Sequence, residues 1–108
     1  MIASDAPVLE HGVLSVRPGQ SAAFEAALAQ ALPLIRAARG FRGIDVRRCH
    51  ERPDTYLLLV AWDSLEDHTE GFRGSPAFEE WRALTHHFYD PMPVIEHFTP
   101  MAGGTVAG

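Results

Sequence analysis

Six histidines stand in a chain of 108 residues, and imidazole, with an unperturbed pKa of about 6.5, is the side chain best suited to moving protons near neutrality. His68 falls on a short helix that follows a buried strand, at a place where an apolar inward residue is expected. That makes it the first candidate for a pocket base, against the plainer role of capping or packing at a helix end. His86 lies one turn beyond Arg82 and eight residues past Phe78. It either lines a pocket from the last helix or sits in water, favoured by the negative helix terminus. His11 and His97 lie on strands and point to a pocket or to an interface, since side chains alternate between the two faces. His50, at a hairpin, and His87 are assigned to solvent. Trp62 closes a strand and reads equally as core or as pocket wall. Tyr56 and Leu58 share its strand face, and Phe72, Phe78 and Trp81 can complete an aromatic wall, although a stripe at helical spacing is commonly plain core.

Other chemistries find no support. His86 and His87 are adjacent and face apart on a helix, no Cys-x-x-Cys or His-Glu-x-x-His spacing occurs, and the carboxylates are scattered, so no metal site is expected. The serines and the single cysteine, Cys49, have no histidine and acid at a nucleophile's spacing. Gly40 and Gly43 form no phosphate loop. A formal net charge of -5 argues against nucleic acid as a partner. All nine basic residues are arginine, and lysine and asparagine are both absent, a bias that a GC-rich bacterial genome explains. Six of those arginines fall between Arg36 and Arg52; we read them as a solvated face paired with Glu51 and Asp54 rather than as an anion patch. One cysteine and no charged segment leading into an apolar one predict a cytoplasmic protein. No apolar run approaches a membrane span.

The elements that must position these residues follow from hydrophobic periodicity. At this length a single domain is expected, with residues 1–7 a loose start, residues 8–98 the folded body and residues 99–108 a Gly- and Ala-rich mobile tail. Val8–Val16 reads as a strand stopped by Pro18-Gly19. Gln20–Ala38 reads as a helix with Phe24, Leu28, Leu32 and Ile35 on its apolar stripe, Ser21 or Gly19 as cap, and Pro33 kinking or weakening its last turn. Gly40 stops it. Phe41–Cys49 is a half-exposed strand, and Arg52-Pro53-Asp54-Thr55 suits a type I turn. Thr55–Trp62 is apolar at every position but the first and so is buried on both sides. Asp63 to Glu66 resembles a capping box opening a short helix to about Phe72. Ser75-Pro76 opens another, with Phe78, Trp81, Thr85 and Phe88 as its stripe, and Val94–Phe98 makes a last strand. This order predicts an α+β fold of the ferredoxin-like split βαβ kind, a four-stranded antiparallel sheet with its helices on one face. Because two strands are apolar on both faces, the open face is expected to meet a second copy in a twofold homodimer.

Val16-Arg17-Pro18-Gly19, Arg39-Gly40-Phe41-Arg42-Gly43, Arg52-Pro53-Asp54-Thr55-Tyr56, Trp62-Asp63-Ser64-Leu65-Glu66 and Ser75-Pro76-Ala77-Phe78 occur in this order. In that order and spacing the chain resembles the antibiotic biosynthesis monooxygenase family of the dimeric α/β-barrel superfamily, over about Val8 to Phe98. The resemblance implies a small dimer with a pocket between helices and sheet in each subunit. It also implies oxygenation of quinols or polyketide anthrones without metal or flavin, or haem degradation. The haem-degrading branch uses an asparagine on the first strand, a tryptophan closing the third and a histidine on the last helix. Trp62 matches the second; the first falls at His11 or Gly12 and the third near Arg82, so haem degradation is disfavoured.

For the oxygenation that the resemblance implies, the partners are a small aromatic substrate and molecular oxygen, and no cofactor is required. The protein must supply a base titrating near neutrality, donors for a developing oxyanion and a dry aromatic pocket. These roles are assigned to His68 or His86 as base and Arg82 as donor. Trp62, Tyr56, Leu58, Phe72, Phe78, Trp81 and His11 are expected around the substrate. A non-catalytic small-molecule binding domain and an isomerase of the same superfamily are the alternatives.

Overall fold

A computed structural model of the protein describes residues 5–108. The chain runs β1 (Val8–Ser15), α1 (Ser21–Arg36), β2 (Phe41–Arg48), β3 (Thr55–Trp62), a wide π-type turn (Asp67–Phe72), α2 (Pro76–Thr85), a short 3-10 turn (His86–Phe88) and β4 (Glu96–Phe98). The four strands form one antiparallel sheet in the order β2-β3-β1-β4, with the helices packed on one face. This is the α+β, ferredoxin-like arrangement read from the order of elements.

Strand alternation sorts the sheet into two faces. Leu14, Leu58, Val60 and Trp62 point toward the helices and are buried with Phe24 and Ile35 of α1 and Trp81 of α2. On the opposite face Leu9, His11, Leu57 and Leu59 are half-buried and Val13 is exposed. The register pairs Glu10 with Val60 on one side and with His97 on the other. Glu10 and His97 therefore share the helix-covered face.

Several local expectations are corrected. No side chain caps α1: Gln20 is its N-cap residue, and the Ser21 hydroxyl instead donates to Asp54 Oδ1 at 2.5 Å. The helix runs through Pro33 and ends at Arg36. Asp54 has φ +58°, which excludes a type I turn and uses the tolerance of aspartate for the left-handed region. The cap after β3 is Ser64, whose Oγ accepts from the Asp67 N–H at 3.1 Å, while Asp63 binds Arg42 at 2.7 Å. The arginine-rich segment pairs with Asp63, Asp45 and Glu25 rather than with Glu51 and Asp54. Those pairs are exposed, and each is worth under about 1 kcal/mol. Strand β4 begins at Glu96 rather than Val94. Pro91 and Pro93 lack the N–H groups a ladder needs, so the segment before β4 stays irregular and turns Ile95 inward. Ser75 caps α2 as its sequence indicates, accepting from the Phe78 N–H at 3.3 Å, with Pro76 at the first helical position. Of the expected loose start, residues 1–4 lie outside the described residues; Ala6 is buried and the Asp5 carbonyl accepts from Arg42.

Gly40 reverses the chain between α1 and β2 with φ +79°, and a Cβ there would collide with the Asp67 side chain at the start of the π-type turn. Both effects oppose any L side chain. Gly40→Ala is expected to lower the unfolding free energy by about 1–2 kcal/mol. The check is urea denaturation, read as a lower midpoint at unchanged slope.

Candidate active site

Between the sheet and the helices lies a cavity of about 230 Å3. Its sheet floor is Glu10 and Leu14 of β1 and Leu58 of β3; Ile35 closes it from α1, and Phe78 and Trp81 from α2. The π-type turn contributes His68 and Phe72, Arg73 follows directly after it, and the chain between α2 and β4 contributes His86, Tyr89, Met92, Pro93 and Ile95. The lining is apolar and aromatic apart from Glu10, His68, Arg73, His86 and Tyr89.

The turn carrying His68 is wider than an α-helix. The Arg73 N–H reaches back five residues to the His68 carbonyl at 3.0 Å, and such inserted residues re-aim side chains and recur at functional sites. Here it brings the His68 ring onto Trp62, with centroids 5.2 Å apart and planes 18° from parallel. Trp62 Nε1–H donates to Glu10 Oε1 at 3.0 Å, and His68 Nε2 lies 3.4 Å from the same oxygen. The other ring nitrogen, His68 Nδ1, is 2.7 Å from Nε2 of His97. Glu10 and His68 in the cavity wall, with Trp62 and His97 behind it, thus form one cluster of polar contacts.

Burial dominates the electrostatics. It pushes the Glu10 carboxyl up to about 7, against the Trp62 N–H and the Arg73 charge, which both favour the anion. Burial also pushes His68 down to about 3, helped by the positive field of Arg73 and by His97. In this pair the proton therefore resides on the carboxyl below about pH 7, and the imidazole stays neutral. His97 is lowered by burial and then by Arg73, and His86 by burial and then by Arg82. Burial raises the Tyr89 phenol to about 12, so it remains a proton donor.

Six of the residues singled out from sequence share this cavity: His68, His86, Leu58, Phe72, Phe78 and Trp81. Four stand elsewhere. Trp62 is completely buried behind His68 rather than on the cavity surface. Tyr56 turns toward α1, where its Oη donates to Glu25 at 2.5 Å and its ring packs on Phe24. Arg82 lies on the exposed side of α2, bound to Glu79 at 2.7 Å. His11 faces the opposite side of the sheet against Phe98. Sequence reasoning passed over Glu10, Arg73, Tyr89 and Met92, although Glu10 carried a signal. It is the one acid in an apolar strand, and period-two counting places it with Leu14 and Val16 on the core face. Among the described residues, no group of three or more histidine, cysteine or acidic side chains is placed to hold a metal ion. No helix among them is long and apolar enough to cross a membrane.

Comparison with known proteins places this geometry in a family. The model of the antibiotic biosynthesis monooxygenase family matches residues 7–84. The chain belongs to that family. Within it, the protein is 47% identical over 91 residues to the uncharacterized protein YczJ of Bacillus subtilis (strain 168), covering 84% of this chain and 96% of YczJ. It also superposes with a TM-score of 0.84, at 36% identity, on a Bordetella bronchiseptica protein whose name assigns it provisionally to antibiotic biosynthesis monooxygenases; 90% of this chain and 99% of that one are covered. Rv0793 of Mycobacterium tuberculosis shares the fold, with a TM-score of 0.73 at 23% identity, covering 89% of this chain and 96% of Rv0793.

The raised Glu10 pKa fixes a sign for stability in this family member. The folded state holds the Glu10 proton more tightly than the unfolded chain, so this contribution is complete below the ordinary value of 4.5 and disappears as pH rises through about 7. Glu10→Gln removes it. Relative to the parent, the variant is expected to gain stability between pH 4.5 and 8 by an amount on the order of 3 kcal/mol. Urea unfolding of both proteins across that range checks the direction.

Proposed function

We propose that this protein is a cofactor-independent monooxygenase that oxidises a small aromatic substrate, a quinol or polyketide-type anthrone, with molecular oxygen. The observation that carries the reading is a buried carboxyl group, pushed by its burial toward neutrality, in a cavity whose lining is apolar and aromatic apart from it and His68, Arg73, His86 and Tyr89. Family membership supplies the reaction class, and the cavity, below the roughly 300–1,000 Å3 of pockets for drug-sized ligands, suits a small ring system.

In this reading the substrate provides the electrons. The Glu10 carboxylate removes a proton from the activated position, and the resulting anion passes one electron to oxygen. Superoxide and the substrate radical then couple, and the peroxide anion recovers the proton from the Glu10 carboxyl. For an anthrone methylene, loss of the remaining C–H proton with departure of hydroxide leaves a ketone and water. One oxygen atom enters the product and the other enters water, with no external reductant. The base role thereby passes from His68 to Glu10, which is the member of the pair that titrates near pH 7. Trp62 and His68 hold its carboxyl in place. Tyr89, kept protonated, replaces Arg82 as the donor to the developing oxyanion. Phe72, Phe78 and Trp81 pack the ring, and His86 remains a neutral polar group at the cavity wall.

The outer sheet face belongs to the same proposal. Leu9, Val13, Leu57 and Leu59 form an apolar surface that the chain's own helices leave uncovered, and a twofold-related copy is the closed solution. Leu59→Arg is expected to convert a two-chain particle into a monomer in sedimentation equilibrium, whereas a parent protein that sediments as a monomer would remove the dimer from the proposal.

The activity test is oxygen uptake by metal-stripped protein with anthrone and a series of 1,4-hydroquinones. Uptake with kcat/KM rising through about pH 7 is expected, and Glu10→Gln should lower it by about 10²–10⁴-fold. Substrate turnover without oxygen consumption would support an isomerase instead. Ligand binding, read by Trp81 fluorescence, with no turnover would support a binding domain.

A further inference from the structure

We propose that His97 is the solvent-side end of a proton relay, Glu10 to His68 to His97, through which the cavity's base exchanges its proton with water while a substrate fills the cavity. The inference rests on the reading of Glu10 as the base. Glu10 and His68 are both nearly inaccessible, at 5% and 3% exposure, so an occupant of the cavity removes their remaining route to solvent on that side. A line of polar groups leading from the cavity wall through His68 to His97 supplies another. His68 Nε2 faces Glu10 Oε1 at 3.4 Å, and His68 Nδ1 faces His97 Nε2 at 2.7 Å. His97 is half-exposed. Its Nδ1 makes no side-chain hydrogen bond among the described residues. The one buried, unpartnered side-chain polar atom among them is Nδ1 of His11, on the opposite face. The free nitrogen of His97 is therefore open to water.

The two protonation states of Glu10 each dictate one direction for the whole chain. With Glu10 ionised, His68 Nε2–H donates to the carboxylate, so His68 Nδ1 must accept from His97 Nε2–H, and His97 Nδ1 presents a lone pair to water. With Glu10 protonated, its O–H donates to His68 Nε2, His68 Nδ1–H donates to His97 Nε2, and His97 Nδ1–H donates to water. Passing between them moves one proton in at His97 Nδ1, one from His97 Nε2 to His68 Nδ1 and one from His68 Nε2 to Glu10. Every bond is balanced, and each imidazole is neutral at both ends of the transfer. A resting imidazolium is disfavoured by burial and by Arg73, the cation facing all three groups. Trp62 Nε1–H donates to Glu10 Oε1 in either state and keeps the carboxyl aimed at the relay.

Protein carrying 15N-labelled histidine reports the tautomers directly by long-range 1H–15N spectroscopy. Both His68 and His97 are expected to change together from Nδ1–H to Nε2–H as Glu10 loses its proton. In Glu10→Gln that concerted change should be absent. A fixed tautomer at either ring across the transition, or a doubly protonated ring within it, overturns the relay. In turnover with anthrone or a hydroquinone below about pH 7, where substrate fills the cavity while Glu10 still holds a proton that must leave before it can act as base, His97→Gln should lower kcat about tenfold with KM unchanged, and added imidazole should restore it. A kcat equal to the parent's, or a loss that imidazole leaves unrepaired, also counts against the relay. The two ideas separate cleanly. Concerted tautomer exchange with full oxygen uptake in Glu10→Gln retains the relay and removes Glu10 as base, and fixed tautomers with inactive Glu10→Gln do the reverse.

Discussion

A carboxyl group in the middle of a β-strand, on the face that packs against helices, is the constraint around which this structure is arranged. An unpaired carboxylate in such a place is prohibitively costly, and it either neutralises or recruits donors. Glu10 does some of each. The indole N–H of Trp62 donates to it, the neutral ring of His68 stands against it, and the Arg73 guanidinium lowers the cost of its charge from the cavity side. The outcome is a group near its midpoint at neutral pH, the state that makes a carboxyl useful as both acid and base.

The backbone irregularities cluster where they serve this group. A regular α-helix after β3 would rotate His68 along a different arc; the extra residue in the π-type turn aims it at Glu10 and stacks it on Trp62. Gly40, in a conformation that other residues resist, lets Asp67 and the start of that turn approach the end of α1. The prolines before β4 shorten that strand to three residues, which is still enough to set His97 directly opposite Glu10. Regular elements carry the core, and the polar chain is built by their exceptions.

The sheet keeps its two faces chemically separate. On the inner face lie the cavity and Glu10 and His97, whose proton affinities burial perturbs. On the outer face lies an apolar surface that includes His11, one residue from Glu10 but pointing away from it. A one-residue change of register would exchange these roles and put a carboxylate among the half-buried leucines of the outer face and a further imidazole in the cavity.

Periodicity and the order of elements were sufficient to read the architecture, although several turns and caps differ in detail from their sequence signals. Period-two runs marked the strands, the Ser75-Pro76 cap marked α2, and the order of elements specified the sheet, because each is a short-range consequence of side-chain type. The family resemblance implied a pocket between helices and sheet, and residue type and spacing assigned to it His68, Phe72, Phe78, Trp81, His86 and Leu58, which do line the cavity. It could not show that Trp62 lies behind the wall, that Arg82 turns to Glu79, or that Tyr56 points to Glu25, since these depend on helix rotation and on contacts between residues far apart in the chain. Glu10 was legible as an acid on a core face, yet its significance was not. A proton affinity is set by what surrounds a group, and the surroundings of Glu10 come from β3, the π-type turn and β4. The residue types in the sequence determined which groups were available for proton chemistry. Tertiary packing alone decided which of them is buried, which is paired and therefore which one titrates near neutrality, because desolvation and hydrogen bonding act through space rather than along the chain.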